Sequence, residues 1–449
     1  MSKEISTPQS HPFITSPHYT LLSMALPLLL SLIAEPLTGL IDTAFISRLG
    51  ATQLAAVGVG TTALTSIFWA FNFLGVGTQT ETAKAFGAKE SVRVRQISSL
   101  AVALSLTIGF CLVILVFPFS SRIMSLMGAS EEIHTLSVTY FKIRAVGAPA
   151  ILITFAAFGV LRGLQDMKTP FIIAVSINVM NIVLDALLIF GAGPVPGFGV
   201  AGAAWASTIS QWAGALWAVL RVHSNVRMTV DIHMADAAKL LRIGGDLFVR
   251  TGMLTLFLLL TTRKATMIGP EAGAAHQALR QFWVFTALFL DACAIAGQSL
   301  IGFFVGTGWV DQVRRVARVV CGWSLGIGMS LSIIMIAGQR GVEALLVPPS
   351  AREVFGSAWL VMCIFQPLNA LAFGTDGIHW GTGDFRFLRN VVLLASLTSI
   401  GALALQGRFL PDTLTWIWII TGWWMSVRAL FGILRIWPGL GNSPFPSSQ

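Results

Sequence analysis

The sequence predicts an all-α integral membrane protein with twelve transmembrane helices in two parallel six-helix lobes, related by a pseudo-twofold axis along the membrane normal. Of its 449 residues, 55% are hydrophobic and only 11% are charged. An ordinary soluble domain has about 25% charged residues. A membrane-spanning helix needs about 20 mainly apolar residues, so this composition supplies about twelve of them. It excludes a soluble globular enzyme, a disordered chain and a disulfide-stapled secreted domain.

Apolar stretches, separated by charged or Pro/Gly-rich breaks, mark the twelve predicted spans. In the first half they lie at residues 21–46, 54–76, 97–120, 136–161, 170–192 and 200–221. In the second half they lie at 243–266, 273–302, 316–337, 353–380, 390–407 and 413–434. The longest polar connection joins the two halves. The predicted organisation is a tail at 1–20, an N-terminal lobe at 21–221, a linker at 222–242, a C-terminal lobe at 243–434 and a tail at 435–449.

The distribution of Lys and Arg predicts the orientation of the chain. With the N-terminus in the cytoplasm, 18 of these residues fall in cytoplasmic segments and seven in outer ones. This bias follows the positive-inside rule, so both tails are predicted to be cytoplasmic and the protein to lie in a plasma (bacterial inner) membrane. The basic residues are spread over short connections rather than gathered on one solvated face, which argues against nucleic-acid binding. The four cysteines have no metal-binding spacing, and no metal site is predicted from them.

The two halves of the chain repeat with a nearly constant offset. An offset of 219 residues carries Gln79 to Gln298, and an offset of 218 carries Gly163 to Gly381. A fixed offset across separated segments indicates an internal duplication. Because each repeat has an even number of spans, both begin on the same side of the membrane. Parallel repeats with a path between them are a plan typical of transporters that work by alternating access.

Motifs for nucleotide hydrolysis and for common hydrolases are absent from the sequence. It contains no GxxxxGK[ST] phosphate loop, no HExxH and no GxSxG. If the protein moves a solute uphill, the energy must therefore come from an ion gradient. A proton that crosses the membrane potential supplies about 2.3 kcal/mol per 100 mV.

Two carboxylates and a proline mark span one. Glu35 and Asp42 are seven residues apart, so they share one helix face. A carboxylate at membrane depth is costly and is usually functional. Pro36 removes a backbone donor and favours a bend beside the acid. Span one is therefore predicted to contain a titratable group next to a hinge.

Span five has a polar stripe on an otherwise apolar helix. Asn178, Asn181 and Asp185 lie within about 60° of one another around the helix axis. Such a stripe either lines a site or hydrogen-bonds to neighbouring helices. Two neighbouring carboxyl groups in a low-dielectric region can hold a proton near neutral pH, and their oxygens can also coordinate Na⁺. Asp42 and Asp185 are therefore the predicted coupling pair, with H⁺ and Na⁺ both open.

The second half does not repeat this acid, because the offset places Thr261 at the position of Asp42. Asp246 lies four residues before Arg250, where the two side chains could form an ion pair. The predicted substrate or gating positions of this half are Arg250, Arg280, Asp291, Asp376 and His379. Coupling is therefore predicted to be concentrated in the first half.

Several segments resemble the multidrug and toxic compound extrusion (MATE) family over essentially the whole chain. The resemblance is carried by the six-plus-six duplication and by three segments, Pro36…Asp42-Thr-Ala, Gly77…Ala85-Phe-Gly87-Ala and Leu161-Arg-Gly-Leu-Gln-Asp166. Glu35-Pro36 in span one and Asp376-Gly377 in span ten are similar to its DinF-like branch.

This resemblance implies export of organic, often cationic and amphipathic, compounds in exchange for H⁺ or Na⁺. It implies that Asp42, Asn181 and Asp185 bind the coupling cation, and that protonation there bends span one at Pro36. We expect a monomer in the lipid bilayer whose partners are small organic molecules, without nucleic acid and without a cofactor other than the coupling ion. Two alternatives stay open. One is a flippase for lipid-linked precursors in the same superfamily, which would favour a more cationic cavity, and the other is a membrane-embedded enzyme.

Overall fold

The computed structural model describes residues 10–191, 193–194, 196–231, 234–441 and 443–445. The predicted tail residues 1–9 and 446–449, and residues 232–233 of the predicted linker, lie outside the described residues. The described part of the chain is almost entirely helical and contains no β-strand. Its first half comprises α1 (Pro12–Thr15), α2 (Pro17–Ser47), α3 (Ala51–Trp69), α4 (Phe73–Gly87), α5 (Ser91–Leu126), α6 (Glu131–Ala145), α7 (Ala148–Gly163), α8 (Lys168–Phe190) and α9 (Gly199–Val226).

Six further helices form the second half. They are α10 (Met234–Ile268), α11 (Pro270–Thr307), α12 (Val310–Leu346), α13 (Arg352–Thr382), α14 (Phe385–Leu405) and α15 (Leu414–Ile436). A short 3₁₀ turn at Pro349–Ala351 precedes α13.

Each of the twelve predicted spans coincides with a helix or with two successive helices. Within the described residues, ten helical segments are long and apolar enough to cross a membrane, and α6 with α7 would form an eleventh. The remaining predicted span is α9, which is rich in Ala, Gly, Ser and Thr and is therefore less apolar than the others. The all-α membrane class predicted from the sequence is confirmed.

Two predicted spans differ from single straight helices. The span predicted at 54–76 runs as α3 and α4 to Gly87, and residues 70–72 between them form a turn with hydrogen bonds to the third preceding residue. The span predicted at 136–161 is α6 followed by α7, with a bend of 45°. Pro149 stands in the first turn of α7, where its missing N–H and fixed φ favour a new helix start over a continuous helix.

Equivalent glycines make the turn between the first two spans of each repeat. Gly50 precedes α3 with a φ of +132°, and Gly269 precedes α11 with a φ of +158°. These two positions are separated by the offset of 219 residues found in the sequence. Side chains with a Cβ rarely adopt such φ values, so the same backbone requirement is met in both repeats by the same residue type.

Equivalent glycines also allow two helix pairs to approach closely. A Cβ at Gly159 of α7 would clash with the carbonyl oxygen of Gly75 in α4, and a Cβ at Gly377 of α13 would clash with the carbonyl oxygen of Ala294 in α11. The offsets between the two arrangements are again 218 and 219 residues. Small residues at such contacts are typical of membrane helix packing. The duplication seen in the sequence is thus reproduced in the packing.

Gly377→Ala should destabilise the protein, because the added methyl group meets backbone rather than a flexible side chain. Overpacking of this kind costs about 1–3 kcal/mol. The midpoint of thermal unfolding of the purified protein in detergent measures the effect. Gly322→Ala in α12 is the matched control, since a Cβ there meets nothing within 4 Å. Equal midpoints for the two variants would contradict the close approach of α11 and α13.

The described helices form two compact units whose boundary falls inside α2 and α10. The first unit is Leu30–Gly244, and the second comprises Ser6–Leu29 and Gly245–Gln449. The predicted lobes at 21–221 and 243–434 differ from these units at their ends. The start of α2 belongs to the second unit, and the start of α10 belongs to the first.

The N-terminal segment packs within the second unit. Phe13 is fully buried, and its ring centroid lies 5.7 Å from that of Phe304 in α11. Arg315 of α12 donates a hydrogen bond from Nη1 to the carbonyl oxygen of Ile14 at 3.1 Å. The polar tail predicted at 1–20 therefore includes α1 and the first turn of α2, because His11, Phe13 and their neighbours are held by contacts distant in sequence.

The connection between α9 and α10 is held within the first unit. Arg93 of α5 forms an ion pair with Asp236 at the start of α10. Lys239 Nζ lies 2.5 Å from Glu81 Oε2 in α4. The linker predicted at 222–242 is thus largely helical, since α9 continues to Val226 and α10 begins at Met234.

Candidate functional site

A pair of carboxyl groups forms the centre of the candidate site in the first unit. Asp42 of α2 and Asp185 of α8 lie close enough to share a hydrogen bond. Asp185 is only 1% exposed, and Asp42 is half-buried. Within the described part of the chain, no donor reaches Asp42 Oδ1 or either carboxyl oxygen of Asp185. Two ionised carboxylates at this range repel each other, so the arrangement fits a pair that holds one proton between its oxygens.

The polar stripe of α8 is buried where it meets this pair. Asn181 is 5% exposed, and its Nδ2 donates a hydrogen bond to Ser207 Oγ of α9 at 3.3 Å. Asn181 and Asp185 are four residues apart and therefore lie on one face, one turn from each other. Asn178 continues the stripe and is half-buried. The structure thus brings Asp42, Asn181 and Asp185 together.

Arg144 of α6 belongs to the site and is absent from the set predicted from the sequence. Its charge acts on both Asp42 and Asp185. Its Nε and Nη1 atoms are buried without a hydrogen-bond partner among the described residues. A cation beside a carboxylate pair favours the ionised form of the pair, so Arg144 makes release of the shared proton easier. The available signal was a basic residue inside a predicted span, just before the break at Pro149.

Glu35 and Pro36 do not join the carboxyl pair. Both are exposed on α2, and Glu35 makes no hydrogen bond or ion pair with any described residue. The helix continues through Pro36 from Pro17 to Ser47. Because proline has no N–H, the carbonyl of Leu32 lacks its intrahelical partner. Pro36 therefore stays a predicted hinge about one and a half turns from Asp42.

A second group of buried charges lies in the second unit. Arg428 Nη2 of α15 donates to Asp376 Oδ2 of α13 at 2.7 Å, and Arg250 of α10 forms an ion pair with the same carboxylate oxygen. These three residues, which we call the Asp376 cluster, are 3–8% exposed. Two guanidinium groups against one carboxylate leave an excess of positive charge, which acts also on half-buried Asp291 of α11.

Aromatic side chains and a histidine surround the Asp376 cluster. The Arg428 guanidinium lies 4.4 Å from the ring centroid of Trp424, and that of Arg250 lies 5.4 Å from Trp380. Such cation–π contacts are worth about 2 kcal/mol or more when they are desolvated. His379 is fully buried, and its Nε2 lies 3.1 Å from the carbonyl oxygen of Gly432. The imidazole is thus fixed by packing beside the ion pairs.

Two interpretations of the second half are wrong. Asp246 pairs with Arg389 of α14, at 2.6 Å, and not with Arg250 four residues along its own helix. Arg428 counted as a cytoplasmic charge, but it is buried in the Asp376 cluster. In both cases an oppositely charged residue on another helix, more than 50 residues away in sequence, decides the pairing.

The predicted substrate or gating set divides between two places. Arg250, Asp376, His379 and Asp291 surround the Asp376 cluster, whereas Arg280 contacts Thr262 instead. Among the described residues, no group of three or more His, Cys, Asp and Glu side chains is placed to hold a metal ion.

Comparison with known proteins follows the duplication. The MatE family model matches residues 27–187 and 248–403, one stretch in each half of the chain. Protein DETOXIFICATION 44, chloroplastic, of Arabidopsis thaliana is 32% identical over 445 residues, which cover 94% of this chain and 84% of that protein. DNA damage-inducible protein F of Escherichia coli (strain K12) is 28% identical over 393 residues, which cover 86% of this chain and 85% of that protein.

Solved structures share the fold at lower identity. The crystal structure of MATE in the bent conformation matches with a TM-score of 0.84 at 22% identity, over 94% of this chain and 95% of that chain. This likeness confirms the predicted fold of twelve membrane-spanning helices.

Proposed function

Since the chain belongs to the multidrug and toxic compound extrusion (MATE) family, whose members are membrane transporters, we propose that it exports organic compounds in exchange for an inward-moving cation. The proposed cation is H⁺, with Na⁺ as the alternative. The proposed substrates are amphipathic organic molecules, and many of them carry a positive charge. The protein would act as a monomer in the bacterial inner membrane, with both tails in the cytoplasm.

The Asp42–Asp185 pair is the observation that carries this proposal. The two carboxyl groups are within hydrogen-bonding reach, and no donor satisfies the buried oxygens of Asp185. One proton bound between them removes their mutual repulsion, and its release restores that repulsion. A site with these two states can convert proton binding into a change in the packing of α2 against α8. Na⁺ could bridge the same oxygens, together with the Asn181 carbonyl, because hard cations prefer oxygen ligands.

The energy available from this exchange is sufficient for concentrative export. One proton supplies about 2.3 kcal/mol per 100 mV of membrane potential. A factor of ten in concentration costs about 1.4 kcal/mol. A single proton per substrate therefore supports accumulation of tenfold or more when the substrate is neutral. In the proposed cycle Pro36 is the hinge by which α2 responds to protonation of Asp42.

Transport into proteoliposomes tests the proposal. Vesicles that contain the purified protein are loaded at acid pH and diluted into neutral medium with ethidium, an amphipathic organic cation. Exchange of external ethidium for internal H⁺ should accumulate ethidium by up to about tenfold per pH unit for a one-to-one exchange. Parallel vesicles with Na⁺ inside and no pH difference test the alternative ion. Empty liposomes and vesicles with a collapsed gradient are the controls. Uptake that is independent of both gradients would contradict cation-coupled export.

A further inference from the structure

A second polar cavity lies in the second unit, between α10, α11 and α15. It shares no residue with the Asp376 cluster. Besides Leu258, its walls are formed by Thr261, His276, Arg280, Trp283, Trp418 and Thr421. Neither the coupling pair nor the proposed export of cations uses this cavity.

Unpaired hydrogen-bond donors are concentrated in its wall. The indole Nε1 atoms of Trp283 and Trp418 are buried and have no acceptor among the described residues. The two side chains are 6% and 3% exposed. A buried N–H group without an acceptor is destabilising, and most such groups in folded proteins are paired. Two of them in one small cavity indicate that an acceptor belongs there.

Arg280 adds a positive charge that no carboxylate offsets. It is half-buried, and within the described part of the chain no Asp or Glu oxygen forms an ion pair with it. Its nearest polar contact is a hydrogen bond from Nη1 to Thr262 Oγ1 at 3.4 Å. Arginine side chains in a low-dielectric region are normally paired with an anion. A bound water molecule would bring no charge, so water alone does not complete this site.

The remaining walls suit a flat apolar body attached to the anion. His276 lies one turn from Arg280 on α11, and its ring centroid is 5.8 Å from that of Trp418. Thr262 Oγ1 donates to the carbonyl of Leu258 at 2.9 Å, so the Nε2–H of His276 donates to Thr262 at 3.2 Å. The imidazole is thereby fixed beside the two indoles, and the cavity is lined by aromatic faces.

The duplication places this cavity opposite in charge to the coupling site. Thr261 in its wall stands at the position that Asp42 occupies in the first repeat. A carboxylate in one repeat is thus replaced by a hydroxyl group beside a guanidinium in the other. We propose that the cavity binds the carboxylate of an aromatic organic anion, with Arg280 as the charged partner and the two indole N–H groups as hydrogen-bond donors. This inference goes beyond the proposed export of cations and does not depend on it.

Equilibrium binding of radiolabelled benzoate to the purified full chain in detergent tests the proposal. We expect saturable binding that neutral benzamide and chloride displace poorly. Arg280→Gln should weaken benzoate binding by about tenfold or more, because it removes a charge-assisted hydrogen bond. Trp418→Phe keeps an aromatic ring but removes one donor, and it should weaken binding by about two- to tenfold. Arg263→Gln is the matched control, since Arg263 is an exposed arginine on α10, and it should bind benzoate as the wild type does.

Three results would overturn the assignment. They are benzamide binding as tightly as benzoate, chloride displacing benzoate at equal concentration, and unchanged affinity in a folded Arg280→Gln variant. Thermal unfolding of each variant in detergent establishes that it is folded. If Arg280→Gln does not fold, Trp418→Phe decides alone, and wild-type affinity in that variant counts against the proposal.

Discussion

Asp42→Asn should reduce proton-driven accumulation of ethidium in proteoliposomes to the level of empty liposomes. Asparagine has nearly the shape of aspartate but cannot gain or lose the proton. Its amide can donate a hydrogen bond to Asp185, which lies within reach and has no other donor among the described residues. The variant therefore resembles the pair with its proton permanently bound. The same loss is expected for Asp185→Asn, because either residue alone breaks the exchange.

Folding of these variants should be normal, which separates loss of coupling from loss of structure. Repulsion between two carboxylates is absent once one of them is an amide, so the midpoint of thermal unfolding should stay level or rise. Asp311→Asn is the control, since Asp311 is exposed at the start of α12 and should leave transport unchanged. Full proton-driven accumulation in a folded Asp42→Asn variant would refute the assigned role of the pair. Retained accumulation under a Na⁺ gradient alone would refute H⁺ as the cation.

Asp376→Asn should cause the largest loss of stability among single substitutions considered. The change removes the only carboxylate that hydrogen-bonds to the Arg250 and Arg428 guanidiniums within the described part of the chain. Leaving a buried charge without its partner costs about 3–5 kcal/mol. Asp291 lies within range of the same charges but hydrogen-bonds to neither guanidinium. The midpoint of thermal unfolding in detergent should fall well below that of the wild type.

A double variant tests whether unpaired charge is the cause. Adding Arg250→Gln to Asp376→Asn removes one of the two unbalanced guanidiniums, so the double variant should recover part of the lost stability. Asp311→Asn again serves as the exposed control, with a change within about 0.5 kcal/mol. If Asp376→Asn unfolds at the wild-type midpoint, the Asp376 cluster does not stabilise the second unit.

Features that depend on local pattern could be predicted from the sequence. Apolar stretches gave the helices, and the spacing of Asn181 and Asp185 placed them on one face of α8. The repeat offset located Gly50 and Gly269 before the structure showed their positive φ values. In each case the information lies within one helix turn or in one alignment of the chain with itself.

Features that depend on which helices pack together could not be predicted in this way. Arg144 reaches the carboxyl pair because α6 packs near α2 and α8, and no spacing within α6 reports that. Arg428 has the sequence context of a basic residue near a cytoplasmic helix end, but Asp376 draws it into a buried ion pair. Asp246 has a suitable partner one turn away and still binds Arg389. An ion pair chooses its partner by distance in space.

Neither half of the chain contains a whole compact unit. The segment before residue 30 clusters with the second unit, and the first turns of α10, up to Gly244, cluster with the first. A chain cut between α9 and α10 would therefore leave each fragment without a segment that the other carries. An ancestral chain with a single repeat would have met the same requirement only by trading these segments with another copy of itself. The present protein thus has the organisation of a segment-swapped homodimer whose two subunits became one polypeptide.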